Sequence, residues 1–365
     1  MNVEFAVLKR QYEKYQDEYE AAVLRTLRSG WYILGNELKE FEKQYADFHT
    51  VRKCVGLNSG LDALVLAIKA LGIGSGDEVI VQANTFIATA LAITASGATP
   101  VFADADDFFG LDTKMLDSLI NPKTKAIIPV HLYGQPCDME TIMLIARRHN
   151  LYVIEDCAQA HGAKYKGHLV GTFGDIGCFS FYPMKPIGAF GDGGAVITNN
   201  DQLADKLMML RNYGSKVKYQ HEIKGVNSRL DEIQAAILQI NLQHVNDGNY
   251  ERQKIASRYM NEIINHEITL PLLRPDSEHV YHIFPILCSK REKLRKYLEQ
   301  ENIHTQIHYP TSCHLSPCFV ELNHKPGDFT NAERFAHDEL SLPIYVGMPD
   351  EEVDFVISCL NQYKR

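Results

Sequence analysis

The segment Phe179–Thr198 reads FSFYPMKPIGAFGDGGAVIT, and the interpretation of the whole chain starts from it. A short apolar run ends near Lys185, a loop with four glycines follows, and a second apolar run begins at Ala195. This order predicts a strand, an exposed lysine, a turn and another strand. A lysine held between buried strands is poorly solvated, which favours its neutral amine, the form that makes a Schiff base.

A second signal lies upstream, in the segment Leu151–Gly162, which reads LYVIEDCAQAHG. It predicts a buried strand that ends in an acid, Asp156, at the edge where open α/β sheets bind ligands. Pyridoxal phosphate (PLP) needs this pair of groups, a lysine for its aldehyde and a carboxylate facing its pyridine nitrogen. The alternative is a surface lysine and an ordinary strand-end acid, and the pair alone does not decide between the two interpretations.

The composition limits the classes of protein to which the chain can belong. Its 365 residues suffice for two domains, and 45% apolar with 23% charged residues is ordinary for a globular enzyme. A formal net charge of -9 without a basic run argues against nucleic acid as a partner. The polar start Met1–Tyr19 lacks a signal-peptide pattern, no apolar run reaches membrane-spanning length, and the eight cysteines form no Cys-x-x-Cys motif. We therefore expect a cytoplasmic protein with no membrane partner.

Hydrophobic periodicity predicts alternating strands and helices through the first two thirds of the chain. The predicted strands are 54–57, 77–82, 99–104, 125–131 and 151–157, and the predicted helices are 6–28, 36–48, 61–71, 86–95, 113–120, 138–150, 203–211, 230–245 and 250–264. The polar segment 215–226 is predicted to be a loop. This order is typical of an α/β fold with a mostly parallel sheet between helices.

From about Glu267 the pattern changes to α+β. Strands are predicted near 279–288 and 304–308, and helices at 290–302, 331–340 and 350–363. We therefore expect a large domain with N-terminal helices over residues 1–248, and a smaller C-terminal domain over residues 249–365.

Two more positions suit a cofactor, although each has a simpler reading. The turn Asn58–Gly60 follows a short strand and opens a helix, so its free amides suit a phosphate, but most such turns only cap helices. Phe86 begins a helix at the same sheet edge as Asp156. An aromatic side chain there either stacks on a flat ring or packs in the core.

Six ordered motifs carry a resemblance that covers nearly the whole chain. They are SGWYILG at 29–35, NTFIA at 84–88, PVHLYG at 129–134, EDCAQ at 155–159, the lysine segment, and GVNSRLDEIQAA at 225–236. With these motifs the chain resembles the sugar aminotransferases of the DegT/DnrJ/EryC1/StrS family, which are fold-type I PLP enzymes. The resemblance implies that PLP is the cofactor and that the fold is a large mostly parallel domain with a smaller α+β domain.

The resemblance also implies roles around the cofactor ring. Lys185 resembles the Schiff-base lysine, which carries protons between cofactor and substrate. Asp156 matches the acid that keeps the pyridine nitrogen protonated, so that the ring can take up electrons. Gln159 matches the amide that contacts the ring hydroxyl, and Phe86 matches the residue stacked on the ring.

Further matches concern the cofactor phosphate. Ser180 matches a hydroxyl ligand, and Gly60 and Leu61 match backbone amides at a helix start. Many relatives have threonine at Leu61, so a backbone contact alone is implied there, and Met184 replaces a common threonine before the catalytic lysine. Asn227 matches a phosphate ligand from the neighbouring subunit, which implies a homodimer with shared active sites.

For the substrate, the segments 60–64, 218–219 and 227–232 resemble enzymes that aminate C3 of a nucleotide-linked 3-keto-6-deoxyhexose. The resemblance implies conversion of a dTDP-3-keto-6-deoxyhexose to the 3-amino-3,6-dideoxyhexose, with L-glutamate as amino donor and 2-oxoglutarate as product. That reaction belongs to deoxyaminosugar biosynthesis, for surface polysaccharides or antibiotics. Alternatives are C4 amination of a 4-keto sugar, a PLP sugar dehydratase, which normally lacks the lysine, and a non-catalytic ligand-binding relative.

Tyr182, His308 and Tyr309 resemble family positions near the sugar and its diphosphate. Their alternative is structural, because Tyr182 also suits a core and 308–310 a strand end. The pair His279 and His282 lies in an apolar segment without a matching acid or cysteine, so the sequence predicts no metal site.

Overall fold

The computed structural model describes residues 1–364, in which helices and strands alternate. The α-helices are α1 Leu8–Lys14, α2 Gln16–Ser29, α3 Asn36–His49, α4 Gly60–Ala70, α5 Ile87–Ala95, α6 Leu116–Leu119, α7 Met139–His149, α8 Asp201–Leu210, α9 Glu232–Gln243, α10 Val245–Glu262, α11 Arg291–Gln300, α12 Thr330–Asp338 and α13 Asp350–Gln362. The strands are β1 Lys53–Leu57, β2 Glu78–Gln82, β3 Thr99–Ala103, β4 Thr124–Ile128, β5 Tyr152–Asp156, β6 Lys164–Tyr165, β7 His168–Leu169, β8 Ile176–Ser180, β9 Gly194–Thr198, β10 Ser215–Val217, β11 Gln220–His221, β12 Ser277–Glu278, β13 Phe284–Leu287 and β14 Glu339–Leu342. Short 3-10 helices lie at Thr113–Met115, Leu132–Gly134, Cys313–Leu315 and Pro317–Leu322.

The central sheet has seven strands in the order β1-β9-β8-β5-β4-β2-β3. Pairs β2–β3, β2–β4, β4–β5 and β5–β8 are parallel, whereas β9 runs antiparallel to both of its neighbours. Four of the five residues of β2 and of β5 are buried, as expected for strands covered on both faces. The mostly parallel α/β sheet predicted from the sequence is confirmed.

The carboxyl ends of the parallel strands bring distant segments together. β5 ends at Asp156 and β8 ends at Ser180, and these strands are neighbours in the sheet. The connection from β8 to β9 contains Lys185, and the antiparallel pairing of the two strands requires it to turn back over this edge. The sheet therefore places the lysine segment beside the strand-end acid.

A second core is built from C-terminal elements. Buried side chains of α11, α13, β13 and β14 pack together, and Val3 from the start of the chain joins them. Helix α10 runs through residues 248 and 249, so the two predicted domains share a continuous helix. The division at that point stays a prediction.

Three local predictions are wrong. The helix expected over 6–28 is two helices, because the backbone leaves the helical range at Tyr15, whose ring stacks on His244 at 3.9 Å between centroids. The segment 215–226 contains the short hairpin β10–β11 instead of a plain loop. The segment 304–308 is no regular strand, and a single bridge joins its Gln306 to Ser341.

The helix predicted over 331–340 also ends early, at Asp338. The next four residues form β14, which pairs antiparallel with β13 and is buried at every position. Burial and strand pairing outweigh the helical periodicity there. Among residues 1–364, no helix combines the length and apolar character needed to cross a bilayer.

Glu232, the first residue of α9, joins that helix to the start of α3. Its buried carboxylate accepts hydrogen bonds from the amides of Gly35 (2.7 Å), Glu37 (2.9 Å) and Leu38 (3.2 Å). These amides begin α3, where helix geometry supplies no acceptor. An acid of the 225–236 motif therefore caps α3 from a distant segment.

We expect Glu232→Ala to lower the free energy of unfolding by about 2–4 kcal/mol, because three buried donors lose a charged acceptor. Denaturant unfolding measures the change. Glu40→Ala is the control, since Glu40 is an exposed residue of α3 that accepts a hydrogen bond from Gln44. Equal stability of the two variants would contradict the capping role.

Candidate active site

One cavity lies at the carboxyl edge of the sheet and has a volume of about 470 Å³. Ten of the eleven residues for which the sequence predicts a role line it: Gly60, Leu61, Phe86, Asp156, Gln159, Ser180, Tyr182, Lys185, His308 and Tyr309. Asn227 is exposed and lies outside the lining. Segments from both sequence regions, before and after residue 248, therefore meet in one site.

Asp156 is a buried acid with two hydrogen-bond donors. Its Oδ2 accepts from the Thr89 hydroxyl at 2.8 Å, and its Oδ1 accepts from the Ala158 amide at 3.1 Å. Burial raises the pKa of Asp156, while these two donors and the charge of Lys185 act against that rise. The carboxylate is thus held in a fixed orientation where a further cationic N–H group would stabilise it.

Lys185 lines the same cavity, and its backbone amide donates to the carbonyl of Tyr182 at 2.8 Å, which forms the turn after β8. Burial lowers the pKa of Lys185 to about 8, and the charge of Asp156 opposes this shift. The neutral amine is therefore half populated near pH 8 instead of above pH 10. A neutral amine is the form that attacks a carbonyl carbon.

The start of α4 forms the third part of the site. Gly60 and Leu61 lie in its first turn, where backbone amides have no acceptor within the helix, and the Ser59 side chain caps the helix by accepting from the Asp62 amide at 3.1 Å. A Cβ at Gly60 would lie 2.5 Å from the Cβ of Ser180, so only glycine allows this close approach. Amides, a hydroxyl and a positive helix end here suit a phosphate group.

Gln159 is held between two partners. Its Oε1 accepts from the Tyr133 amide at 2.6 Å, and its Nε2 donates to the Tyr309 hydroxyl at 3.1 Å. The acceptor is thus occupied by the backbone, while the amide nitrogen has a second hydrogen to donate into the cavity.

Phe86 lies at the start of α5 with 51% of its surface exposed, and its ring centroid is 5.2 Å from that of Tyr309. An aromatic left exposed in a cavity suits a flat ligand ring.

Glu155, the residue before Asp156, lies in a buried set of hydrogen bonds that supports β5. Glu155 accepts from the amides of Gly171 (2.7 Å), Phe173 (2.8 Å) and Gly174 (2.8 Å) and from His131 Nε2 (3.1 Å). His131, Glu155 and Cys157 bring potential metal ligands within 4.8 Å of one another. His131 Nδ1, however, accepts from the Cys137 amide at 3.0 Å, so the ligand atoms of His131 and Glu155 already make hydrogen bonds. Burial also raises the pKa of Cys157, so we interpret the group as structural.

Behind His308 lie two polar residues, Ser341 and Glu339, that the sequence analysis did not identify. His308 Nδ1 is hydrogen-bonded to Ser341 Oγ at 2.8 Å, Ser341 Oγ is hydrogen-bonded to Glu339, and the His308 amide donates to Glu339 Oε2 at 2.7 Å. Burial raises the pKa of Glu339 to about 8 and lowers that of His308 to about 4. The imidazole is therefore neutral at neutral pH and fixed in one orientation.

Thr89, Glu339, Ser341 and the pocket residue Arg252 carry no local sequence signal that would identify them. Thr89 follows Phe86 by three residues in α5, so helical spacing places both on one face. That spacing is the one signal that could have linked Thr89 to the site. Arg252 reaches the cavity, and Glu339 and Ser341 reach His308, only through the packing of the C-terminal elements against the sheet.

The residues in the cavity fit PLP. A buried carboxylate with room for a cationic N–H, an amine with a lowered pKa, and a phosphate-sized cradle at a helix start lie in one space. The close contact between Gly60 and Ser180 keeps that cradle narrow. Together, fold and site define a PLP-dependent enzyme with an α/β fold.

Comparisons with known proteins agree with this class. The sequence profile of the DegT/DnrJ/EryC1/StrS aminotransferase family matches residues 13–361. The chain is 48% identical over 362 residues to the dTDP-3-amino-3,6-dideoxy-alpha-D-galactopyranose transaminase of Aneurinibacillus thermoaerophilus, which covers 99% of both chains.

Solved structures are similar over the same length. The crystal structure of Streptomyces venezuelae DesV has a TM-score of 0.97 and 45% identity, and covers 99% of this chain and 98% of that one. The structure of ntda from Bacillus subtilis, with its bound cofactor PMP, has a TM-score of 0.92 and 32% identity, and covers 98% and 84% of the two chains. The chain belongs to the DegT/DnrJ/EryC1/StrS aminotransferase family and is a PLP-dependent aminotransferase.

We expect Thr89→Val to weaken PLP binding about 3- to 10-fold, because Asp156 loses a hydrogen bond that favours its charged form. Since the pKa of Asp156 then rises further, the loss should grow as the pH is lowered. Titration of the apoenzyme with PLP, followed by absorbance, measures the change.

Thr94→Val is the matched control, since Thr94 lies on the same helix and donates to the Ala90 carbonyl at 3.3 Å on an exposed face. If Thr89→Val bound PLP as tightly as Thr94→Val at every pH, the hydrogen bond would not tune Asp156.

Proposed function

We propose that the enzyme transfers the amino group of L-glutamate to C3 of a dTDP-linked 3-keto-6-deoxyhexose, in deoxyaminosugar biosynthesis. The observation that carries this proposal is the presence of Lys185 and Asp156 in one cavity, together with a relative whose name specifies a 3-amino-3,6-dideoxy sugar. The products are the dTDP-3-amino-3,6-dideoxyhexose and 2-oxoglutarate.

In this proposal different residues of the cavity bind different parts of PLP. Asp156 would hold the pyridine N–H, the free N–H of Gln159 would bind the ring hydroxyl, and Phe86 would pack against the ring. The amides of Gly60 and Leu61 and the hydroxyl of Ser180 would hold the phosphate. Bound PLP supplies an electron sink for the pair left when a proton leaves the carbon beside the amino group.

Lys185 is the proposed catalytic base and acid. Its amine, whose pKa burial lowers to about 8, would remove the proton from the amino-bearing carbon of glutamate and hold it at Nζ for its later return. The same amine carries the proton in the opposite direction when the sugar accepts nitrogen. One residue thereby acts in both halves of the reaction.

Tyr182, His308 and Tyr309 are proposed to contact the sugar and its diphosphate. Tyr182 lines the cavity with 51% of its surface exposed, which leaves its hydroxyl accessible to a ligand. Because Nδ1 of neutral His308 is already hydrogen-bonded to Ser341, its second ring nitrogen is assigned to a sugar hydroxyl.

We also propose a homodimer in which Asn227 of each subunit reaches the cofactor phosphate of the other. The neighbouring residue holds the backbone next to Asn227 in place, because Ser228 donates to Asp62 Oδ2 at 2.7 Å and accepts from the Asn58 amide at 3.2 Å. Large apolar side chains are exposed on the surrounding face: Trp31, Tyr32, Phe190, Tyr213 and Val226. Such a set suits a subunit contact.

A cytoplasmic location is proposed as well. Seven of the eight cysteines are buried free thiols, which suits a reducing compartment.

The decisive experiment is the regiochemistry of amination. The holoenzyme is incubated with L-glutamate and, separately, with dTDP-linked 3-keto and 4-keto 6-deoxyhexoses, and NMR locates the new amine. We expect the amine at C3 from the 3-keto sugar and about 100-fold slower turnover of the 4-keto sugar, because the site holds one carbonyl beside Lys185.

An amine at C4 would contradict the proposed regiochemistry. Loss of water without nitrogen transfer would contradict the aminotransferase step itself. Lys185→Ala serves as the control that leaves the sugar-binding residues in place and should give no amine from either sugar.

A further inference from the structure

Arg252 is a buried cation that lines the cavity and has no role in the function proposed above. It lies on α10 with 5% of its surface exposed and lines the cavity together with Lys185. Its Nη1 atom is buried and has no hydrogen-bond acceptor among residues 1–364. A guanidinium without an acceptor is costly to bury, so its position calls for a ligand.

The acidic residue beside it in the sequence is already paired. Glu251 accepts from Lys14 at 2.6 Å and from the Gly347 amide at 2.9 Å, at the edge of the protein. Its charge acts on Arg252 from a distance, and burial lowers the pKa of Arg252 to about 10. The guanidinium thus remains charged at neutral pH.

The other polar neighbours of Arg252 do not neutralise it. His161 and His282 are both affected by the charges of Lys185 and Arg252, and burial lowers the pKa of each well below its usual value. Both imidazoles are therefore neutral. His282, Arg252 and Lys185 all line the same cavity.

The chemistry of the missing partner follows from the shape of guanidinium. Its planar fork of N–H groups matches a carboxylate, which it binds through two parallel hydrogen bonds. A keto sugar carries its negative charges on the distal diphosphate, whereas an amino acid carries a carboxylate on the carbon that bears the reacting nitrogen. A cation near Lys185 therefore suits the amino donor and not the sugar.

We propose that Arg252 binds the α-carboxylate of the amino donor and so orients its amino-bearing carbon toward Lys185. This inference rests on the proposed function, since it assigns a subsite for one of the two substrates. Arg252 touches the donor in this account, and the sugar half of the reaction does not depend on its charge.

The first test measures binding without turnover. Glutarate, a dicarboxylate without an amino group, is titrated into the holoenzyme by calorimetry. We expect Arg252→Gln to weaken glutarate binding about 10- to 100-fold, because a charged, buried hydrogen-bonded pair is lost. Lys254→Gln is the control, since it removes the same charge from an exposed position two residues away on α10.

The second test identifies the carboxylate. Conversion of the cofactor by L-glutamate is compared with conversion by its 1-amide, which lacks the α-carboxylate charge. The wild-type enzyme should prefer glutamate strongly, and Arg252→Gln should lose most of that preference, whereas Lys254→Gln should keep it. Reaction of the aminated enzyme with the keto sugar should stay within about threefold in all three proteins.

Unchanged glutarate binding in Arg252→Gln, or an unchanged preference for glutamate over its 1-amide, would overturn the inference. Equal losses in both half-reactions would also overturn it, because they indicate general damage. If Arg252→Gln does not fold, Arg252→Lys replaces it. That variant is expected to retain part of the glutarate affinity and part of the preference for glutamate over its 1-amide. If L-glutamate does not convert the cofactor of the wild-type enzyme, the proposed function itself is overturned.

Discussion

The structure depends on one constraint, which is to keep the buried carboxylate of Asp156 and the amine of Lys185 in one cavity. Burial raises the pKa of Asp156 and lowers the pKa of Lys185 to about 8. The charge of each group lowers the free-energy cost of burying the charge of the other. The strand pairing of β5 with β8 fixes the distance between their segments, so the sheet is the frame for this pair.

Side-chain alternation in β5 explains how the frame is kept rigid. Successive residues of a strand point to opposite faces, so Glu155 points away from the cavity when Asp156 points into it. Glu155 then binds the amides of the segment 171–174 and His131, which ties β5 to the loop before β8. The acid that lines the cavity and the acid that supports its strand are thus neighbours in the sequence with different partners.

Much of this arrangement could be predicted from the sequence, for identifiable physical reasons. The strand, lysine, glycine loop and strand of 179–198 are local signals, and ten of the eleven predicted residues line one cavity. Residues such as Glu339 and Arg252 could not be predicted, because their roles depend on tertiary packing and not on local spacing. The end of α12 at Asp338 illustrates this limit, since pairing with β13 overrides the helical pattern and delivers Glu339 to His308.

The central claim is that Lys185 is the residue to which the cofactor is bound, and one measurement tests it most directly. The holoenzyme is reduced with borohydride, which makes a lysine–cofactor bond permanent, and its peptides are mapped by mass spectrometry. The account predicts a phosphopyridoxyl group on Lys185 and on no other lysine, and none in Lys185→Ala. A label on a different lysine, or a cofactor-containing enzyme that takes no label, would contradict it.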